Sequence, residues 1–147
     1  MSRPPPPTRD AFSRAYTLQT RWADNDIYGH VNNAAYYGLI DTAVNTYLIE
    51  EAGLDPHQGS AVALVVETGC RYHAALRFPQ TIDVGLKVTR LGRSSVTWQV
   101  ALFAGPAAPG DPAAADAHFV HVCVDAKAHR PIPWPDGMRA ALMRAQN

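Results

Sequence analysis

The sequence predicts an α+β fold in which a five-stranded antiparallel sheet wraps around one long central helix. Three observations carry this expectation. Five segments alternate apolar and polar residues with the period of a strand that buries one face. One segment, residues 33–52, switches to a repeat of three and four, the period of a helix. The strands are joined mostly by turns too short for the crossovers that parallel pairing requires. A sheet with one apolar face needs a cover, and only the 33–52 helix is long enough to provide it.

The elements follow in order. The opening, MSRPPPPTRD, carries four consecutive prolines at 4–7, so residues 1–12 read as a flexible Pro-rich lead-in and residues 13–147 as a single domain. The first strand puts Tyr16, Leu18, Thr20 and Trp22 on one side and Ala15, Thr17, Gln19 and Arg21 on the other. It ends at the Asp24–Gly29 loop. In the helix, Tyr36, Leu39, Ile40, Ala43, Val44, Tyr47 and Leu48 form the apolar stripe, with Asn32 a suitable N-cap and Gly53 a suitable stop. Four further strands give apolar faces at Val62, Leu64, Val66, Cys70, Tyr72 and Leu76; at Ile82, Val84, Leu86 and Val88; at Val96, Trp98, Val100 and Leu102; and at Val120, Val122 and Val124. Turns are marked at Phe78–Gln80, Gly92–Ser94 and the Gly105–Ala115 loop. Residues 135–146 read as a short outer helix with a structural role.

A chain of 147 residues, 47% of them hydrophobic, supports one core and one domain. Its 13 basic residues balance its 13 acidic ones, without runs of like charge, so the field that would hold nucleic acid or an anionic membrane is missing. Neither a signal peptide nor a membrane-spanning segment is recognisable, which gives the expectation of a soluble cytoplasmic protein. Cys70 and Cys123 lie in separate apolar strands and read as reduced, packed thiols.

Several chemistries find no support. The chain has no nucleophile elbow, since Gly92-Arg93-Ser94-Ser95-Val96 fails at its last position, and no P-loop or dinucleotide fingerprint. His118 and His121 are three apart on a strand and so face opposite ways, and no other spacing fits a metal; neither metal nor cofactor is expected. Asp26 is what remains. An isolated aspartate ahead of a helix ordinarily caps it or bonds loop amides. Here the loop runs straight into a helix N-terminus, whose unpaired N–H groups and partial positive charge would face a carboxylate acting as nucleophile or base.

The segment Asp26-Ile27-Tyr28-Gly29-His30-Val31-Asn32-Asn33, with an aromatic at Tyr36, resembles the signature of the acyl-CoA thioesterases related to 4-hydroxybenzoyl-CoA thioesterase, which have the hotdog fold. The stretches VVETGCRYHAAL, RLGRSSV and HVCVDAKAHRPIPWP resemble later strands of that family in the right order. The resemblance spans about Arg14 to Leu142. It implies that Asp26 is the catalytic carboxylate and that the backbone N–H of Asn33 polarises the thioester carbonyl. It also places His30 at the border of the site, and implies a homodimer, or a tetramer of paired dimers, with sites at the interface.

Neighbouring residues have plainer readings beside functional ones. Gly29 lets the backbone approach a ligand. Tyr28 and Tyr36 either wall an acyl pocket or belong to the core. Asp24 reads as solvated or ion-paired, Asp41 as a polar face residue, and Glu67 as either pocket-lining or solvated. For the nucleotide end of coenzyme A the candidates are Arg93, Ser94 and Ser95, with Arg90 and Arg77, as cations and hydroxyls at strand ends. The function expected is hydrolysis of an acyl-CoA thioester, with small-molecule and self-association partners only; the alternative is a non-catalytic acyl-thioester-binding or regulatory hotdog protein. A hotdog dehydratase would need a histidine on the helix, and residues 33–52 contain none.

Overall fold

The computed structural model describes residues 3–146. In chain order it contains β1 (Arg14–Gln19), α1 (Asn33–Glu50), β2 (Ala61–Tyr72), β3 (Thr81–Leu91), β4 (Ser95–Gly105), β5 (Ala115–Asp125) and α2 (Asp136–Arg144). The strands form one antiparallel sheet in the order β1-β3-β4-β5-β2. β1 and β2 are therefore the two edges. α1 lies across the sheet between them in sequence, and the expected hotdog architecture is the one observed.

α1 begins where its cap residue allows. Asn32 is extended (φ −62°, ψ 141°) and its side chain accepts a hydrogen bond from Ala34 N–H at 2.9 Å. At the other end Gly53 adopts φ +72°, which an L side chain seldom does, and Leu54 N–H returns to Leu48 O. The stripe Tyr36, Ile40, Ala43, Val44, Tyr47 and Leu48 is buried against Ile82, Val84, Leu86, Val96, Trp98, Val100 and Leu102 of β3 and β4. Leu39 is only half-buried. Burying side chains of this size contributes about 1.5–3 kcal/mol each, which is why one helix suffices to hold the sheet's curvature closed.

Two strand faces differ from the sequence expectation. On β5 the helix-facing set is Ala115, Ala117, Phe119, His121 and Cys123, because these pair with Leu102, Val100, Trp98, Val96 and their row, while Val120 and Val122 lie on the outer face. Both faces of β5 are apolar, so alternation alone has no preferred parity. On β2 the register shifts between Val65 and Glu67. Ahead of this bulge Ala61, Ala63 and Val65 face the helix side; beyond it Thr68, Cys70 and Tyr72 do. Val62 and Leu64 are thus on the outer face, and no single parity runs through the strand.

The first strand stops early. Trp22–Asp24 is a 3-10 turn, not strand, and Trp22 is 82% exposed rather than sharing the buried side with Tyr16 and Leu18. Packing also begins ahead of Ser13: Phe12 is buried against Ala101, Phe103 and Ala113 on the outer face of the sheet, and Thr8 bridges to Pro112. α2 inserts Met138, Ala141 and Leu142 into the main core, and the Tyr47 hydroxyl donates to Ala141 O at 2.6 Å. Cys70 and Cys123 are free thiols.

Candidate active site

The loop between β1 and α1 is tied at three levels. Asp26 N–H donates to His30 O at 2.9 Å, Gly29 N–H to Asp26 O at 3.0 Å, and Gly29 holds φ +79° to close the turn. Asp24 is buried, accepts Arg21 N–H at 2.7 Å and pairs with the Arg21 guanidinium at 2.8 Å, while its carbonyl accepts Asn32 N–H. It is ion-paired, as expected, but not solvated. Burial pushes its carboxyl up, yet the hydrogen bonds and charge of Arg21 outweigh burial and hold it below the usual carboxylate range. Asp24 thus fixes the start of α1 from beneath, and Val31 N–H, bonded to Leu76 O at 2.7 Å, fixes it from the side.

Asp26 sits half-buried on this frame. One carboxylate oxygen accepts Tyr28 N–H at 2.9 Å, so the turn-aspartate reading holds for Oδ1, and Oδ2 has no hydrogen-bond partner among the described residues. Within the first turn of α1, Ala34 and Ala35 N–H groups both bond to Asn32. The N–H of Asn33 is left without a partner among the described residues, as one of the orphan donors of a helix start. Asp26 and Asn33 line the same cavity, of about 390 Å³, together with His30, Val31, Tyr36, Tyr72, His73, Ala74 and Ala75. The residue that carries the carboxylate and the residue that begins the helix therefore line one hollow. That pairing can stabilise an oxyanion while a nucleophile or water is presented to a carbonyl.

The cavity's aromatic wall is a tyrosine pair. Tyr36 and Tyr72 meet edge to face at 4.9 Å, and the Tyr72 hydroxyl reaches Asn33 O at 3.5 Å. Burial pushes the Tyr72 phenol up, with Cys70 and Tyr37 adding to the shift, so it remains a neutral donor at physiological pH. His73 is held by the buried Asp116, which also pairs with Arg71. The sequence reading missed Tyr72, His73, Ala74 and Ala75 as cavity residues. Tyr72 was already expected on the apolar face of its strand; what alternation does not give is that β2 ends there, so that Tyr72 and the three residues after it line the cavity.

Other expected site residues lie elsewhere. Tyr28 is 78% exposed, and only its backbone serves Asp26. Gly29 lines a neighbouring hollow with Trp22, Asn25 and Ile27 instead of the main cavity. Arg93, Ser94 and Ser95 occupy the β3–β4 turn, at the end of the sheet where Ser95 pairs with Val122, whereas the Asp26 cavity is at the end where Leu102 pairs with Ala115. The run of β4 between those ends is roughly 23 Å at about 3.3 Å per residue. One chain does not bring the two groups together. Asp41 is exposed and bonded to Asn45, and Glu67 is paired with His118 on the outer face at 3.1 Å. No group of three or more His, Cys, Asp or Glu among the described residues could hold a metal ion.

Sheet order, central helix and a carboxylate beside the helix start define a hotdog-fold protein. The chain belongs to the thioesterase-like superfamily, which matches residues 20–142. Among solved structures it is similar to the PA5185 protein of Pseudomonas aeruginosa, at 48% identity over 97% of this chain and 98% of that one, with a TM-score of 0.93. It is also similar to the PA2801 protein of the same species, at 29% identity over 89% and 98% of the two chains, TM-score 0.80. A 1,4-dihydroxy-2-naphthoyl-CoA thioesterase from Synechocystis, Slr0204, shares the fold at 18% identity, 90% and 97% coverage and TM-score 0.76. No curated protein matches the chain. Among the described residues no helix is long and apolar enough to cross a membrane.

Proposed function

We propose that the protein is an acyl-CoA thioesterase of the kind related to 4-hydroxybenzoyl-CoA thioesterase, hydrolysing an acyl-CoA to the free acid and coenzyme A. The observation that carries this reading is that Asp26, whose Oδ2 has no hydrogen-bond partner among the described residues, and Asn33, whose N–H likewise has none among them, line one cavity. The thioester oxygen accepts the Asn33 N–H and the helix N-terminus stabilises its developing charge. Asp26 then either attacks the carbonyl carbon, expelling the thiolate and leaving a mixed anhydride for water to open, or removes a proton from the water that attacks directly. In both cases the C–S bond breaks and the sulfur leaves as a thiolate, whose conjugate thiol has a pKa near ~8.5, so a strong general acid is not required. His30 borders the reacting centre and Tyr36 closes the acyl side.

The working unit in this reading is a homodimer, or a tetramer of dimers, paired through β2. Leu64, Val65 and Val66 are exposed along this twelve-residue edge, an arrangement that invites pairing with a second copy. Antiparallel pairing of two β2 strands would bring the partner's β3–β4 turn to the end of the sheet that carries Asp26, and Arg93, Ser94 and Ser95 would then serve a site in the neighbouring subunit. A panel of aliphatic and aromatic acyl-CoA substrates, read by thiol release with a chromogenic disulfide, tests the function. Turnover of at least one acyl-CoA is expected; binding of acyl-CoA without release of thiol from any of them would identify a binding protein instead.

A further inference from the structure

The backbone N–H of Asn33 is a single donor, whereas an oxygen that takes up a full negative charge accepts more than one hydrogen bond. Tyr72 brings a second donor to the same place. It is the last residue of β2 and lies on the helix side of the sheet. Its ring stands edge to face on Tyr36 at 4.9 Å, and its hydroxyl donates to the carbonyl oxygen of Asn33 at 3.5 Å. The phenol O–H thus rests against the residue whose own N–H serves the thioester oxygen in the reading above, and Tyr72, Asn33 and Asp26 line one cavity.

This hydroxyl is available, not consumed. A separation of 3.5 Å is long for an O–H donor, whose usual distance is about 2.7–2.8 Å, so little is lost when the proton turns to a better acceptor. Burial, with Cys70 and Tyr37 acting in the same direction, keeps the phenol in its proton-bearing form. The ring that carries it is held in place. Tyr36 beneath it is buried, and the next residue, His73, is pinned to β5 through its N–H to Ala114 O at 2.8 Å and through its imidazole to the buried Asp116. A donor fixed in this way needs little reorganisation when charge develops in front of it.

Resting on the thioesterase reading above, we propose that Tyr72 is a catalytic residue, the second oxyanion donor of the site, whose O–H leaves the Asn33 carbonyl and donates to the thioester oxygen beside the Asn33 N–H. Attack forms a bond at the carbonyl carbon and moves the π pair onto oxygen, where both donors stabilise it. Collapse returns that pair to the carbon–oxygen bond, breaks the C–S bond and sends its electrons out on sulfur. Tyr72 keeps its proton throughout. A phenol held neutral suits this role, and it is delivered from β2, an element distant in sequence from the loop that carries Asp26.

The test is Tyr72→Phe in the intact protein, which keeps the ring and its contact with Tyr36 and removes only the hydroxyl. With the best acyl-CoA substrate kcat should fall on the order of 10²-fold, while KM changes less than about threefold, because the bond is made chiefly in the transition state. The second readout is infrared difference spectroscopy of a bound ketone analogue of that substrate, in which a methylene replaces the sulfur so that nothing is cleaved. Its carbonyl stretch should lie lower on wild type than on Tyr72→Phe, a difference that a merely structural residue would not produce. Wild-type kcat in a folded Tyr72→Phe variant would overturn the proposal and leave the thioesterase reading standing. So would a fall in kcat with the carbonyl band unmoved, which would reduce Tyr72 to a tether for the start of α1. A Tyr72-dependent band in a wild-type protein that cleaves no acyl-CoA would uphold the donor and overturn the hydrolytic reading alone.

Discussion

Replacing Asn33 by proline removes one atom's function and almost nothing else. Asn33 is the first residue of α1, its N–H has no partner among the described residues, and a proline is at home at that position. The residue before a proline must be extended, and Asn32 already is, at φ −62° and ψ 141°. The cap bond from Asn32 to Ala34 N–H is untouched. Stability should therefore change by less than about 1 kcal/mol, the order of a single capping interaction. Activity should not be spared. Removing one oxyanion donor costs about 2.7–4 kcal/mol of transition-state stabilisation, a fall in kcat of roughly 10²–10³. Asn33→Ala keeps the N–H and should retain most activity, whereas Asn32→Ala keeps the donor but loses the cap, costing about 0.5–2 kcal/mol in stability. The assay is steady-state thiol release at saturating acyl-CoA, with thermal unfolding followed by circular dichroism on the same preparations. A proline variant that folds normally and turns over at the wild-type rate would refute the assignment of the helix start as the oxyanion site.

Two further outcomes follow from other parts of the molecule. Val66→Lys puts a charge on the exposed β2 edge and should convert the proposed dimer to monomer in analytical ultracentrifugation, with loss of activity if sites are shared; an unchanged sedimentation coefficient would move the proposed interface elsewhere. His121 is 1% exposed and burial pushes its imidazole down to about 4 from 6.5, so it is neutral in the fold. The unfolded chain takes up this proton below 6.5, so His121's contribution to stability is complete above that pH and is lost as pH falls to about 4, a change of about 3 kcal/mol by linkage. His121→Phe should flatten that part of the stability–pH curve measured by urea denaturation; an identical slope in wild type and variant would show that other groups set it.

The fold was readable because its strongest signals are local and redundant. Asn32 and Gly53 bracket a long helical stripe, β3 presents one apolar face, and β4 alternates cleanly from Val96 to Val100 before Ala101 and Phe103 make its far end apolar on both faces. β5 was misread because Val120 and Val122 are as apolar as Phe119 and Cys123, and a period of two cannot choose between two apolar faces. The bulge after Val65 in β2 escaped for a related reason: an extra residue leaves no mark in composition, yet it sets Cys70 and Tyr72 on the opposite face from Val62 and Leu64. Asp26 and Asn33 could be singled out because loop, glycine and helix start are contiguous in sequence. Residues that reach the cavity from β2 and the following segment are not contiguous with them, and nothing local ties His73 or Ala75 to Asp26. The opposite placement of Arg93–Ser95 is likewise a property of the sheet's register, not of the turn that carries them.

The role of Asp26 can be measured most directly by comparing kcat for Asp26→Asn, Asp24→Asn and wild type on the best acyl-CoA substrate. Asparagine preserves shape and can still accept the Tyr28 N–H, but it is neither nucleophile nor base, so turnover by Asp26→Asn should fall by orders of magnitude while the fold and acyl-CoA affinity persist. Asp24, buried beneath the loop in its pair with Arg21, should tolerate the same exchange at far smaller cost to kcat. Wild-type turnover by a correctly folded Asp26→Asn variant would contradict the account at its centre.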